Sequence, residues 1–326
     1  MWIISPKQAH GSRSNNRFLG SGTRGAGGGR WGGGWRLTVP GRFVDFGAVH
    51  LSAGVATPAT PAPRILAAFG LEGVPVPLPG GRGRSWRVGR TVLKPLDMAP
   101  SLVRWHADLL TGLDGRDEFR VSVPLCTTDG EWSSDGWTAW RYQPGEHLSG
   151  RWHDIVEVGR RLHRALRTEP EPVFLQNRTD YWAVGDRVAW NELPAEGCAG
   201  TKHLATLIRA RRPTSGRSQL VHGDLTGNVL FHPHLPPLVI DLSPYWRPPE
   251  FASAVVTADA LVFEGANNDI VQPMLQDPDF PQYLLRALIF RVVADHLARP
   301  HLHHDDNDDP YGPAVDLAVH LSELYR

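Results

Sequence analysis

The sequence predicts an α+β protein of two lobes, a small antiparallel β-sheet lobe followed by a mainly helical one. Three observations predict it. Short strand-like runs separated by turn residues crowd residues 74–142. Pro144-Gly145 then breaks that pattern. Beyond the break, helical stretches run to the C-terminus, interrupted by one pair of short apolar runs.

Composition narrows the function classes. The chain has 326 residues, a length for two domains or one large two-lobed one. With 41% hydrophobic and 21% charged residues, most of it can bury a core. Lys+Arg and Asp+Glu are both 34, so no global charge draws it to nucleic acid. Two cysteines, Cys126 and Cys198, cannot form a disulfide scaffold. The apolar runs fall short of a membrane span, and Met1 to Ser5 is too short for a signal peptide core. The expectation is a soluble cytoplasmic protein with no membrane partner.

Residues 1–60 read as a Gly/Arg/Pro-rich, mostly disordered extension. Lys7, Arg13, Arg17, Arg24, Arg30, Arg36 and Arg42 precede the first acid, so residues 1–44 carry +7 and the remainder −7. An arginine-glycine nucleic-acid tail is one reading. The reading preferred is an extension adventitious to the fold, from a start placed too far upstream. Residues 61–143 form the expected N-terminal lobe. It begins with a short helix, Pro63 to Phe69, stopped by Gly70. Strands are expected over 74–78, 85–88 and 91–94, the last two joined by Gly89-Arg90. A helix over 99–113 places Leu102, Trp105, Leu109 and Leu113 on one face. Strands over 119–125 and 137–142 complete the lobe, with Trp140 and Tyr142 read as core and Cys126 as buried. Residues 144–326 form the helical lobe. Its helices are expected over 154–167, 202–210, 251–263, 283–298 and 313–325, with a hairpin from 229–231 and 238–242.

The chemistry is concentrated in Leu220-Val-His-Gly-Asp-Leu-Thr-Gly-Asn-Val-Leu-Phe231 and Leu238-Val-Ile-Asp-Leu-Ser243. A hairpin brings Asn228, at the mouth of its first strand, and Asp241, at the end of its second, to one edge. One carboxylate and one amide oxygen suit Mg²⁺, which keeps several waters and takes phosphate oxygens as further ligands. Asp224 is left to accept a hydroxyl proton. These are the parts for phosphoryl transfer to an alcohol.

His222-Gly-Asp224 with Asn228 and Ile240-Asp241 resembles the aminoglycoside phosphotransferase and choline kinase-like branch of the protein-kinase-like fold. The stretch 221–249, with Tyr245-Trp-Arg-Pro-Pro249, resembles an actinobacterial subgroup of phosphotransferase-like proteins. The resemblance implies Asp224 as catalytic base, with Asn228 and Asp241 as metal ligands. One departure stands: Asn228 follows Asp224 by four positions where the family usually has five, a tightening that Gly227 can permit. In the N-terminal lobe, Gly80, Gly81 and Gly83 form a Gly-rich turn between strands, suited to backbone contact with phosphates. The resemblance implies that Lys94 contacts the α/β-phosphates and pairs with an acid on the next helix. Asp108 is the only acid there, where a Glu is usual.

The reading is an ATP- and Mg²⁺-dependent phosphotransferase acting on a small-molecule hydroxyl, with GTP as the other candidate nucleotide. A nucleotide-binding pseudokinase is the alternative, motivated by the tight Asp224–Asn228 spacing and by Asp108. A nucleic-acid role would rest on the basic N-terminal segment alone. A protein kinase is disfavoured, because the loop lacks the His-Arg-Asp form and no Ala-Pro-Glu follows. His222 is read as a brace of the catalytic loop. His232 and His234 are read as exposed, and the His/Asp-rich run 301–309 as a solvated loop.

Overall fold

A computed structural model describes residues 60–79, 84–198, 200–299 and 309–325, together with the backbone of two strands further upstream. Those strands, β1 (Arg36–Val39) and β2 (Arg42–Asp45), pair antiparallel within a separate unit, Ile4–Val55. In sequence they flank Pro40-Gly41, a turn-favouring dipeptide. The rest of the expected extension lies outside the described residues, as do residues 301–308.

The main unit runs from Ala56 to Arg326 and holds both lobes. Its chain opens with α1 (Pro63–Ala68), which starts on Pro63 and ends before Gly70, whose φ is +61°. A five-stranded sheet follows: β3 (Val76–Pro77), β4 (Trp86–Val88), β5 (Thr91–Pro95), β7 (Pro124–Leu125) and β8 (Trp137–Arg141). The strand order is β3-β4-β5-β8-β7 and every pair is antiparallel. Ile65 and Phe69 of the first helical segment pack on Val88, Leu93 and Ala139 to form the core of this lobe. Helix α2 (Pro100–Leu113) buries Val103, His106, Leu110 and Leu113.

The single strand expected over 119–125 divides in two. β6 (Arg120–Val121) leaves the N-terminal sheet and pairs in parallel with β11 (Leu235–Val239). Pro124, which has no N–H to donate, starts β7 beside β8. The N-terminal lobe is therefore stitched to the hairpin that β11 forms with β10 (Val229–His232). The linker after Pro144 makes a second stitch, through reciprocal backbone bonds of 2.8 Å between Glu146 and Phe231. Gly145 permits this approach, because a Cβ there would lie 2.9 Å from Cβ of Leu230.

The helical lobe consists of α3 (Trp152–Leu166), α4 (Tyr181–Ala189), α5 (Leu204–Ala210), α6 (Pro249–Phe263), α7 (Phe280–Ala298) and α8 (Gly312–Leu324). Helix α7 is its axis. It packs against α4, α5, α6 and α8, and is buried from Phe280 to Ala294. A helix hydrophobic all round belongs in such a place. β9 (Gln219–His222) and β12 (Pro244–Arg247) pair antiparallel on this core. Helix α4 does not stand out in the sequence, because Gly185 interrupts a short run with little polar face. That glycine is what lets α4 and α7 touch: a Cβ would sit 2.7 Å from the Phe290 carbonyl oxygen. Cys126, expected buried, is exposed just after β7, whereas Cys198 is buried. Tyr142 is only half-buried, with the Arg87 guanidinium 3.8 Å from its ring centroid. His232 is half-buried, and His234 is exposed as expected.

Gly185→Ala tests the α4–α7 contact. Helix propensity alone favours alanine by about 1 kcal/mol. The clash should reverse that sign and destabilise the chain by about 1–3 kcal/mol in a denaturant titration. A more stable variant would contradict the close packing.

Candidate active site

The loop carrying Asp224 hangs between β9 and β10, and a buried imidazole at its root shapes it. The His222 ring is fully buried. Its Nδ1 accepts from the backbone N–H groups of Asp224 at 3.2 Å and Ser243 at 3.4 Å. That fixes the proton on Nε2, which donates to the Ile240 carbonyl at 3.2 Å. One side chain thus joins the loop carrying Asp224 to the segment carrying Asp241. Behind it, His163 of α3 accepts the backbone N–H of His222 on Nε2 at 3.1 Å. Both rings are held neutral. Burial lowers the His222 pKa to about 4, and burial followed by repulsion from His222 lowers His163 to about 3.

Gly223 has a packing reason: a Cβ there would lie 2.3 Å from the ring of Tyr245 on β12. The tight loop after Asp224 closes through Gly227, whose φ is +78°. The Asn228 N–H donates to the Leu225 carbonyl at 2.9 Å. Asn228 is fully buried; its Nδ2 donates to the Asp224 carbonyl at 2.6 Å and reaches Oδ2 of Asp224 at 3.3 Å. Its Oδ1 is buried and has no hydrogen-bond partner among the described residues. An orphaned buried amide oxygen is costly, and a bound cation would satisfy it. The Ile240 N–H donates to the Asn228 carbonyl at 3.0 Å, which brings Asn228 beside the strand end that carries Asp241. Asp241 adopts φ +49°, an uncommon conformation for a residue with a side chain.

Lys94 of β5 forms an ion pair with Oδ1 of Asp241. Burial opposes the charge on Asp241, but the charge and hydrogen bond of Lys94 outweigh it and hold the pKa below its ordinary value. Asp108 does not join them. It is exposed on α2, so the expected Lys94–Asp108 pair is absent and the carboxylate on Lys94 is that of Asp241. One helix turn sets this: the face of α2 turned inward carries His106 and Ala107 instead. His106 ring nitrogens lie 2.8 Å from the Leu102 carbonyl oxygen and 3.0 Å from that of Leu242, tying α2 to the residue after Asp241. Gly80, Gly81 and Gly83 lie outside the described residues.

Two charged residues absent from the sequence reading stand against Asp224. Arg291 of α7 donates to Oδ1 of Asp224 at 2.9 Å and grips Asp259 of α6 with bonds of 2.7 and 2.6 Å. Burial opposes the Arg291 charge, but the two carboxylates prevail and raise its pKa above its ordinary value. The available signal was an Asp and an Arg inside otherwise apolar helical runs, residues that are almost never fully buried unless paired. Among the described residues, no group of three His, Cys, Asp or Glu side chains could hold a metal ion. Any divalent metal here would rest on Asn228, Asp241 and ligands brought by a substrate.

A two-lobed chain with a lysine strand, a His-Gly-Asp loop and an Asn/Asp hairpin has the arrangement of a protein-kinase-like fold. Residues 93–244, which span Lys94, Asp224, Asn228 and Asp241, match the family model described as the phosphotransferase enzyme family. Over that stretch the chain is similar to this family, in line with the resemblance. No curated protein matches the sequence at a significant level. Among solved structures, an aminoglycoside phosphotransferase from Alicyclobacillus acidocaldarius is similar at TM-score 0.54 and 14% identity, covering 84% of this chain and 98% of that one. A thermostable mutant of aminoglycoside phosphotransferase APH(4)-Ia is similar at TM-score 0.51 and 15% identity, covering 79% and 97%. The GDP and kanamycin complex of APH(2")-IIia is similar at TM-score 0.50 and 15% identity, covering 80% and 96%. At these identities the likeness is one of fold. No helix among the described residues is long and apolar enough to cross a membrane.

The buried imidazoles predict an acid-sensitive fold. Each histidine takes up a proton near pH 6.5 when unfolded, but only near 4 or 3 when folded. The unfolded state therefore binds more protons below pH 6.5, and stability falls on acidification from 6.5 towards 4. The slope approaches about 1.4 kcal/mol per pH unit for each ring. In urea titrations across this range, His163→Gln should keep the acceptor for His222 and show a shallower slope. An unchanged slope would contradict the neutral assignment.

Proposed function

We propose that this chain transfers the γ-phosphoryl group of a nucleoside triphosphate, ATP in the first instance, to a hydroxyl of a small molecule, with Mg²⁺ as the divalent metal. The observation that carries it is the Lys94–Asp241 ion pair beside a buried, unpartnered Asn228 Oδ1, with Asp224 and Asn228 on the same braced loop. The unpartnered Oδ1 of Asn228 and the carboxylate of Asp241 fit a hard cation with few protein ligands. When bound, that cation would neutralise charge on the phosphate oxygens. Lys94, released from Asp241, would be free to hold the α/β-phosphates as a point charge. Asp224 would orient the acceptor hydroxyl and take its proton. Gly80, Gly81 and Gly83 remain proposed as the backbone cradle over the phosphates. Asp108 is not carried into this proposal as a nucleotide-positioning residue. The solved relative in complex with GDP and kanamycin supports nucleotide use by this fold, with GTP as the other candidate donor.

A pseudokinase is the second reading, and specific observations favour it. Asp224 is only 3% exposed and already engaged by Arg291 and Asn228, while Lys94 and Asp241 are spent on each other.

Thermal stability with ATP, with and without Mg²⁺, separates the readings when phosphate release is measured alongside. Ligand at a thousand times its dissociation constant should stabilise by about 4 kcal/mol. The shift should require Mg²⁺ and vanish in Asp241→Ala. Asp224→Ala should keep the shift and lose phosphate transfer or release. Binding without any turnover in the unsubstituted chain would favour the pseudokinase, and no shift with ATP or GTP would remove both readings.

A further inference from the structure

Arg291 and Asp259 form a structure that is complete without Asp224. The guanidinium meets the Asp259 carboxylate through two bonds, Nε to Oδ1 at 2.7 Å and Nη2 to Oδ2 at 2.6 Å. This bidentate pair joins α7 to α6 and neutralises both charges. A tie between two core helices requires nothing more. Yet Nη2 also donates to Oδ1 of Asp224, 2.9 Å away, in a site where all three side chains are at least nine-tenths buried. The Asp259 carboxylate alone already balances the guanidinium, so the bond to Asp224 is an addition to a matched pair.

The geometry assigns Arg291, with Asp259 behind it, as the positioning pair of Asp224, an inference that rests on the phosphotransfer reading above. Arg291 fixes one carboxylate oxygen, Oδ1. Among the described residues, the other, Oδ2, has only the long 3.3 Å contact from Asn228. Oδ2 is therefore the oxygen presented to an acceptor hydroxyl. The carboxylate is held by the core helices as well as by its own loop. Preorganisation of this kind is what lets a group act without first reorienting. Asp259 has a separate task. By neutralising the guanidinium it stops Arg291 from binding Asp224 so strongly that the carboxylate is lost to the acceptor.

The test uses the full chain and Mg-ATP hydrolysis, with water as the acceptor, read beside the Mg-ATP thermal shift. Arg291→Met should lower kcat per folded molecule by about tenfold to a hundredfold. KM for ATP and the nucleotide-induced shift should stay near those of the unsubstituted chain. Arg291→Lys keeps the charge but loses the planar fork, and should fall between the two. It carries the test if Arg291→Met does not fold. A purely structural tie predicts lower melting temperatures with kcat per folded molecule unchanged in both variants, and that result would overturn the assignment. An unsubstituted chain that neither binds nor hydrolyses nucleotide would instead remove the phosphotransfer reading, and this inference with it.

Discussion

The buried imidazole of His222 is the constraint on which the rest of the site depends. It satisfies two backbone N–H groups and one carbonyl that the crossing of the Asp224 loop with the β11–β12 connection would otherwise leave unpaired. Each such orphan costs about 1–3 kcal/mol. Only a ring with an acceptor on one side and a donor on the other can serve all three, and only while it is neutral. Its neutrality in turn depends on burial, which the packing of α3, Gly223 and Tyr245 supplies. A small change in any of these would release Asp224 and Asp241 from their fixed relation.

The second organising feature is that the charges of Lys94 and Asp241 are satisfied within the chain. Lys94 and Asp241 bridge the lobes, while β6 and the bond pair of Glu146 with Phe231 stitch the same lobes from behind. The ion pair is only about one-quarter exposed on each side chain, so separating it means rehydrating or re-pairing both groups. On the function proposed above, a magnesium nucleotide would offer both replacements together, an anion for Lys94 and a cation for Asp241. His106 keeps α2 attached to the Asp241 segment through the Leu242 carbonyl, so that the helix can follow that segment without an acid–lysine pair.

The two-lobed fold was legible because its signals are local. Turn dipeptides, short β-branched runs and a Pro-Gly break mark the sheet lobe, and apolar periodicity marks the helices. The closed loop after His222 was legible for the same reason, since Asp224, Gly227 and Asn228 lie within one turn. What was not legible depends on contacts distant in sequence. Asp108 was the only acid on α2, and the rotation of that helix against the sheet turned it outward. Arg291 lies 67 positions from Asp224, and no spacing rule connects them. The division of 119–125 between two sheets follows from a parallel partner, β11, more than a hundred residues away. Helix α4 is hidden by a glycine whose purpose appears only against α7.

The most direct test of the account is a crystal structure of the chain with Mg²⁺ and a non-hydrolysable ATP analogue. The account predicts a metal between Asn228 Oδ1 and the Asp241 carboxylate, Lys94 moved from Asp241 to the α/β-phosphates, and the γ-phosphate facing Asp224 Oδ2. A nucleotide bound elsewhere, or one bound with the Lys94–Asp241 pair intact and no metal on Asn228, would contradict it.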